Sequence, residues 1–563
     1  MNIMNKGPAA TAPLRPSPLR RARQLLALDR QDIGVIVVYG VAIGLLSLAV
    51  PVAVQSLVNT VAFGSLIQPL VVLTVLLAVA LTGAAILRAL QVRVAEMLQR
   101  RLFVRIVTEI GARLPRVSGT ALRDANGPEL LNRFFDVFTI QKSVASLLLG
   151  GVDAVLIALV GLIVLAFYHP VLLAFDLVLI LGAALVLIPL GRGGTGTSVA
   201  ESKAKYAVAG WLEEMARHPL SFKLAGGEQL ARTQVETLAK SYLDKRDRHF
   251  RIVFRQLVGA FTIEVVASVS LLAVGGLLVI ERQLSIGQLV AAELIVTAVV
   301  ASIAKLGGKV ETFYDLVAAV DKLGEILDLP LERPDGEILP PDLGAKLGLI
   351  LENVEVNREA GRAPLQISLK VDPGERVSIA GTERDTAALV DSIFGLRAPS
   401  VGVIEMDGHD VRDLALRELR SRVSLVRGAE IFPGCVLDNL RAANPDLTAE
   451  QAWEALDRVG LAEAVKSLPL GLQTPILGDG APLSRSQGIA LTIARAVAAK
   501  PSLLILDRTL DRIDPDAGIR IADRLSAKRD SSLLIVSEDS AIEERMDRHL
   551  QIRETIGQEG EAA

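Results

Sequence analysis

The sequence predicts a chain of two parts: a membrane α-helical domain with six transmembrane helices, joined to a P-loop-type α/β domain. Three observations predict this. The first half holds six apolar stretches, each long enough to cross a bilayer. Beyond residue 348, strand and helix patterns alternate over about 200 residues. Within that second half, residues 376–390 read RVSIAGTERDTAALV. An apolar run, a glycine and a helix-compatible run (386–394) follow one another there, the strand–loop–helix order that a phosphate-binding loop needs.

Composition supports the division. At 563 residues the chain is too long for one domain. It is 51% hydrophobic with a mean hydropathy of +0.43, above the soluble range. A net charge of −3 gives no reason to expect nucleic acid as a partner. The single cysteine, Cys435, excludes an intrachain disulfide and a CxxC metal or redox pair; a lone thiol is ordinarily a small buried residue.

The spans are expected at 33–54, 66–87, 144–166, 171–190, 257–280 and 286–306. Near-continuous apolar composition in all of them argues against buried helices of a soluble bundle. Residues 1–32 carry Lys6, Arg15, Arg20, Arg21, Arg23 and Arg30, and the links 88–142 and 192–255 are also basic. The links 55–65, 168–170 and 281–285 are short: the first has no charge, the second at most a histidine, and the third is five residues. The positive-inside bias therefore places the N terminus, both long links and the second domain in the cytoplasm. The basic segment is too long for a signal peptide and no cleavage pattern follows the first apolar run, so the first span is expected to remain as an anchor. The long links are helical in pattern, so the spans should continue beyond the bilayer and dock on a cytoplasmic domain.

Four acids lie inside the apolar runs: Asp153, Asp176, Glu264 and Glu293. A carboxylate at a helix centre in hydrocarbon costs ~2.5–3.5 kcal/mol, so such residues face a cavity or a partner. They are candidates for lining a substrate cavity suited to a cationic cargo. The alternative is that they lie near an interface, pair across helices or are protonated. Residues 328–347, DLPLERPDGEILPPDLGAKL, hold four prolines and mixed charge and read as the linker. The expected domains are thus 1–32, 33–327, 328–347, 348–555 and a tail at 556–563.

Laid over G-x-x-x-x-G-K-[ST], the loop keeps Gly381 as the first glycine. Thr386 stands at the second, Ala387 at the lysine and Ala388 at the hydroxyl residue. Alone, this is an ordinary strand–turn–helix. Further segments change the reading: 402–411 GVIEMDGHDV, 416–426 LRELRSRVSLV, Phe432-Pro433-Gly434 with 436–440, 483–496 LSRSQGIALTIARA, 501–514 PSLLILDRTLDRID and 533–538 LLIVSE. In this order and spacing they resemble the motifs of ABC ATPases. In the membrane half, 102–115 LFVRIVTEIGARLP, 127–141 GPELLNRFFDVFTIQ and 211–228 WLEEMARHPLSFKLAGGE resemble the contact helices of six-span ABC exporters. Pro51 and Gln55 are similar to residues in exporters of bacteriocins and secreted proteins. The resemblance runs from about residue 20 to 552 and implies an exporter of the bacterial inner membrane.

Against that family's pattern, the chemical positions are altered. The resemblance puts Arg358 where an aromatic residue stacks on adenine. The loop has Arg384 and Thr386 where glycines let N–H groups wrap phosphate; a side chain forced into such backbone costs ~1–2 kcal/mol. Ala387 and Ala388 remove the phosphate-binding lysine and the Mg²⁺ hydroxyl. Arg427 replaces the glutamine that meets metal and water. Asp507 survives as a remnant of the metal site, but Arg508 stands at the general base and Glu538 at the switch histidine. In the signature, Leu483, Ser484 and Gln487 persist while Arg485 and Ser486 replace glycines. Each lost charge-assisted bond is worth ~1.5–3 kcal/mol, against ~4–8 kcal/mol for a micromolar-to-millimolar ligand. A degenerate, pseudo-ATPase site with no bound cofactor is therefore expected, with arginine–carboxylate pairs, Arg508–Glu538 foremost, filling it. The apolar strands 503–506 and 533–536 persist, so the scaffold is expected to matter.

Two functions follow from the resemblance. The chain is a half-transporter acting with an ATP-competent second ABC subunit, whose P-loop holds ATP and Mg²⁺ against this chain's signature; or it is a homodimeric scaffold, sensor or conduit without ATPase activity. An ordinary ATP-driven homodimer conflicts with Ala387, Ala388 and Arg508. Membrane lipids surround the spans, and the cargo is expected to be a peptide or a hydrophobic or cationic molecule.

Overall fold

The computed structural model describes residues 17–63, 67–119, 121, 132–333, 336, 346–356, 365–399 and 401–552. The chain divides into two compact units, Met1–Leu331 and Glu332–Ala563.

In the first unit, among the described residues, six helical segments are long and apolar enough to cross a membrane: Arg30–Thr60, Ile67–Arg116, Arg133–Tyr168, Pro170–Leu187, Gly227–Ile280 and Ile286–Leu327. The first is broken, ending at Ser47 and resuming at Ala49. Pro51 supplies the cause, because its ring opposes the carbonyl four residues earlier, at Ser47, and it has no N–H to donate. The 47-residue helix Ile67–Arg113 and the 54-residue helix Gly227–Ile280 extend ~70–80 Å at 1.5 Å per residue. A bilayer core is about 30 Å thick, so each projects far beyond it, as the helical pattern of the long links implies.

These helices pack through two apolar clusters. Leu98, Leu102 and Ile106 meet Ile36, Ile140 and Leu323 in one. Leu165, Leu172, Leu179, Leu271, Ile295 and Val299 form the other. Faces turned away from these clusters expose Val71, Val75 and Val79, or Phe250, Phe254 and Phe261, as lipid or another chain would require. The helix Pro18–Ala27 is tied down by an ion pair from Arg21 to Asp328, and Arg105 holds buried Asp29 at 2.9 Å.

The second unit is α/β. A five-stranded sheet has the order Arg548–Gln551, Arg376–Ala380, Ser532–Val536, Leu503–Asp507, Val423–Val426. Every pairing in it is parallel. Helices cover it, so its central strands read as unbroken apolar runs buried along their length. A four-stranded antiparallel sheet, Leu365–Val371, Leu349–Val356, Val401–Met406, His409–Asp410, lies beside it. In a parallel sheet all carboxyl ends point one way, and loops there build the site. Here they deliver Gly381, Glu538, Arg508 and Arg427 from four adjacent strands.

Candidate functional site

The loop after Arg376–Ala380 departs from the sequence expectation. The helix does not begin near Thr386; it begins at Glu383 and runs to Ile393. Thr382 caps it: its hydroxyl accepts from the Asp385 N–H at 3.3 Å, and its carbonyl accepts from the Asp385 and Thr386 N–H groups at 3.1 and 3.0 Å. A phosphate cradle needs free N–H groups turned inward; two of the donors are already taken. The first turn also carries Glu383 and Asp385, which complement the helix dipole and oppose an anion at that end. Thr386 is fully buried, with its γ-methyl 3.3 Å from where a Cβ on Gly381 would lie; Ile552 Cβ is 3.1 Å from the same point. A side chain at Gly381 would press on both neighbours, which would have to give by a few tenths of an ångström. Ala388 is buried in the apolar core, Ala387 is partly buried, and Arg384 is exposed on the first turn.

Arg427 occupies the centre. Its guanidinium meets Asp507 at 2.6 Å, Asp391 at 2.6 Å and the Ala387 carbonyl oxygen at 3.1 Å. Both carboxylates are about 95% buried, at 5% and 4% relative exposure. Burial alone pulls the guanidinium pKa down, but Asp391 and then Asp507 outweigh it, and the net shift is upward. The arginine stays charged. Next to it, Arg508 pairs with Glu538 at 2.8 Å and also donates to the Gly381 carbonyl. The pair expected from the sequence is present. Arg508 adopts φ +51°, left-handed backbone that a β-carbon disfavours, and its N–H bonds the Val536 carbonyl at 3.0 Å. Arg512 reaches across to Glu383 at 3.3 Å and to the Arg427 carbonyl at 3.0 Å.

Magnesium and a polyphosphate do not fit this arrangement. A guanidinium sits on Asp507, where a cation would need to bind, and the anion end of the helix is acidic. Asp391, Glu383, Asp385 and Arg512 were missed by sequence reasoning. A signal existed for part of this: Thr382-x-x-Asp385 is a capping pattern, hidden by reading the segment against a loop template. Nothing local marks Asp391. Arg358 lies outside the described residues.

In the signature segment, Ser484 and Gln487 form a reciprocal capping box at the start of the helix Arg485–Ala498: Gln487 N–H to Ser484 Oγ at 3.3 Å, Ser484 N–H to Gln487 Oε1 at 2.8 Å. Leu483 is buried, Arg485 exposed and Ser486 half-buried.

The membrane acids do not gather. Asp153 accepts from Gln91 at 2.7 Å, and Lys305 and Arg88 act on it electrostatically. Gly40 permits this approach, since a Cβ there would lie 2.7 Å from Leu156 Cδ1 and 3.0 Å from the Asp153 carboxylate. Asp176 is 3% exposed, and neither carboxylate oxygen has a hydrogen-bond partner. One oxygen of Glu293 is buried and equally unpartnered, while Glu264 is exposed. Asp176 and Glu293 each lie ~10 Å along their helices from a short loop, Asp153 and Glu264 over 20 Å, at 1.5 Å per residue. Among the described residues, no three acids come together closely enough to hold a metal ion.

Comparison with known proteins accounts for this combination of parts. The fold matches a bacterial Atm1-family ABC exporter solved with ATP bound, with a TM-score of 0.81 over 93% of this chain and 94% of that one, at 17% identity. The ABC transporter family model matches residues 365–510. The chain is an ABC transporter of the exporter type. Relatives of this exporter chain include the fatty acid ABC transporter ATP-binding/permease protein of Mycobacterium bovis, 26% identical over 494 residues, 84% of this chain and 78% of that protein. The alpha-hemolysin translocation ATP-binding protein of Escherichia coli O157:H7 is 26% identical over 288 residues, 48% of this chain and 41% of its own length. The exporter chain thus joins a multi-pass membrane domain to a C-terminal nucleotide-binding domain, the organisation of a half-transporter.

Proposed function

We propose that this half-transporter does not bind or hydrolyse ATP itself and is driven by an ATP-competent partner subunit in the bacterial inner membrane, its nucleotide-binding domain on the cytoplasmic side. The observation that carries the reading is Arg427, held by Asp507, Asp391 and the Ala387 carbonyl. One guanidinium there supplies the positive charge that a metal ion would otherwise bring. Arg508 and Glu538 fill the adjoining space. The partner's P-loop, capped by this chain's signature segment, holds the ATP and Mg²⁺ of the pair. In the membrane domain, the unpartnered carboxylates of Asp176 and Glu293 favour a hydrophobic cargo with a cationic group, or a peptide. A homodimeric scaffold, sensor or conduit is the competing reading; the intact capping box of the signature helix favours the pair, because an ordered signature is what a partner's nucleotide needs.

The test is asymmetric mutagenesis of the purified pair, obtained by co-expression with a neighbouring ABC subunit. Changing the partner's P-loop lysine should abolish ATPase activity, while Asp507→Asn in this chain should leave turnover within about threefold, less than one lost hydrogen bond to a charged group. Loss of turnover from Asp507→Asn would contradict the proposal, and a stable homodimer that recruits no partner would favour the scaffold.

A further inference from the structure

At the opposite, amino ends of the strands Leu503–Asp507 and Ser532–Val536 lies a cavity of about 560 Å³, within the ~300–1,000 Å³ of small-molecule sites. Its floor is apolar: Val497, Leu504, Leu525 and Leu533, all buried. Its rim carries the cations Arg422, Arg458 and Lys500 and the acids Glu454 and Asp530. Glu454 is drawn away to Lys528 at 3.4 Å. Asp530 forms a long ion pair with Arg458 at 3.8 Å, beyond hydrogen-bond distance, and its own side chain is 64% exposed.

Each rim cation closes a helix C terminus, and dipole complementarity alone explains a basic residue there. Two observations go unexplained by that. The Arg458 Nε is buried with no acceptor, a costly state for a charged donor. Lys500 sits in left-handed backbone at φ +52°, two residues beyond the helix Arg485–Ala498. That is the position where glycine is normally chosen, yet a cation is kept at a cost in strain and forms no ion pair among the described residues.

We propose that this cavity binds a small amphipathic organic anion, a carboxylate on an apolar body, with the head group on Arg458 and Lys500 and the body on the floor. The cavity lies between the strand sheet and the helices Ala449–Arg458 and Arg485–Ala498, so the ligand would brace the signature helix from behind. The site stands independently of whether ATP binds at the carboxyl ends of the strands.

The test uses the full chain in nanodiscs, with 1-naphthoate as probe, its neutral analogue 1-naphthalenemethanol as control, and empty nanodiscs as background. Equilibrium dialysis should show a single saturable naphthoate site, and the alcohol should bind at least about tenfold more weakly, as expected when a charge-assisted bond is lost. Lys500→Gly is the decisive variant. It removes the cation while relaxing the backbone, so its melting midpoint should stay level or rise while naphthoate affinity falls about tenfold. Arg458→Gln should weaken binding similarly. Unsaturable binding, equal binding of the alcohol, or a Lys500→Gly variant that binds like the wild type would overturn the site.

Discussion

Arg427 holds two buried carboxylates at once; removing it strands Asp507 and leaves Asp391 with Arg397 alone, at 3.4 Å. Taking one partner out of a buried ion pair costs about 3–5 kcal/mol, mostly because the remaining charge is left without compensation. Arg427→Met should therefore lower the melting midpoint of the full chain sharply. Glu538→Gln is a contrast: Glu538 is 62% exposed, exposed pairs are worth about 0–1 kcal/mol, and the midpoint should hardly move. Equal effects from the two changes would mean that Arg427 is not the structural centre of the site. The Arg508–Glu538 pair was legible in the sequence because two aligned motif positions had acquired opposite charges. The role of Asp391 was not. It lies beyond the motif positions of its helix, Glu383–Ile393, and only the fold brings it to Arg427, 36 residues away in the chain. In the membrane domain, the carboxylates could be named from hydropathy, but that Gln91 holds Asp153 while Asp176 has no partner depends on helix rotation, which composition does not encode.

On the proposed reading, the helix Glu383–Ile393 is the element that separates this domain from a working phosphate-binding site. By starting at Glu383 it turns would-be phosphate donors into internal helix bonds. Thr382 fixes that start. Thr382→Ala should cost about 0.5–2 kcal/mol, the usual worth of an N-cap. In hydrogen exchange the amides of Asp385 and Thr386 should lose protection, while those of the strand Leu503–Asp507 stay protected. Unchanged exchange at 385 and 386 would show that the cap does not set the start. The strands themselves were readable as short apolar runs of β-branched and leucine residues. The helix start was not, because a motif template imposed a loop on a segment whose own chemistry, Thr382 followed by Glu383 and Asp385, is that of a helix N terminus.

At the scale of the whole molecule, six long helices carrying a transport architecture are joined to an α/β unit whose apolar core is intact and whose chemical positions are filled by ion pairs. The spans were legible because bilayer thickness fixes their length; the break at Ser47–Ala49 was not expected, although the chemistry of Pro51 accounts for it. Which faces of those helices line a cavity depends on packing, and the sequence pattern carried no sign of it. The central claim, as proposed above, is that this unit does not hold a nucleotide in its own site. Calorimetric titration of the purified full chain with a non-hydrolysable ATP analogue and excess Mg²⁺ tests it most directly. The expected result is no saturable binding with a Kd below about 1 mM, in wild type and in the variant Arg508→Glu alike. Micromolar, magnesium-dependent binding by the wild-type chain would contradict it.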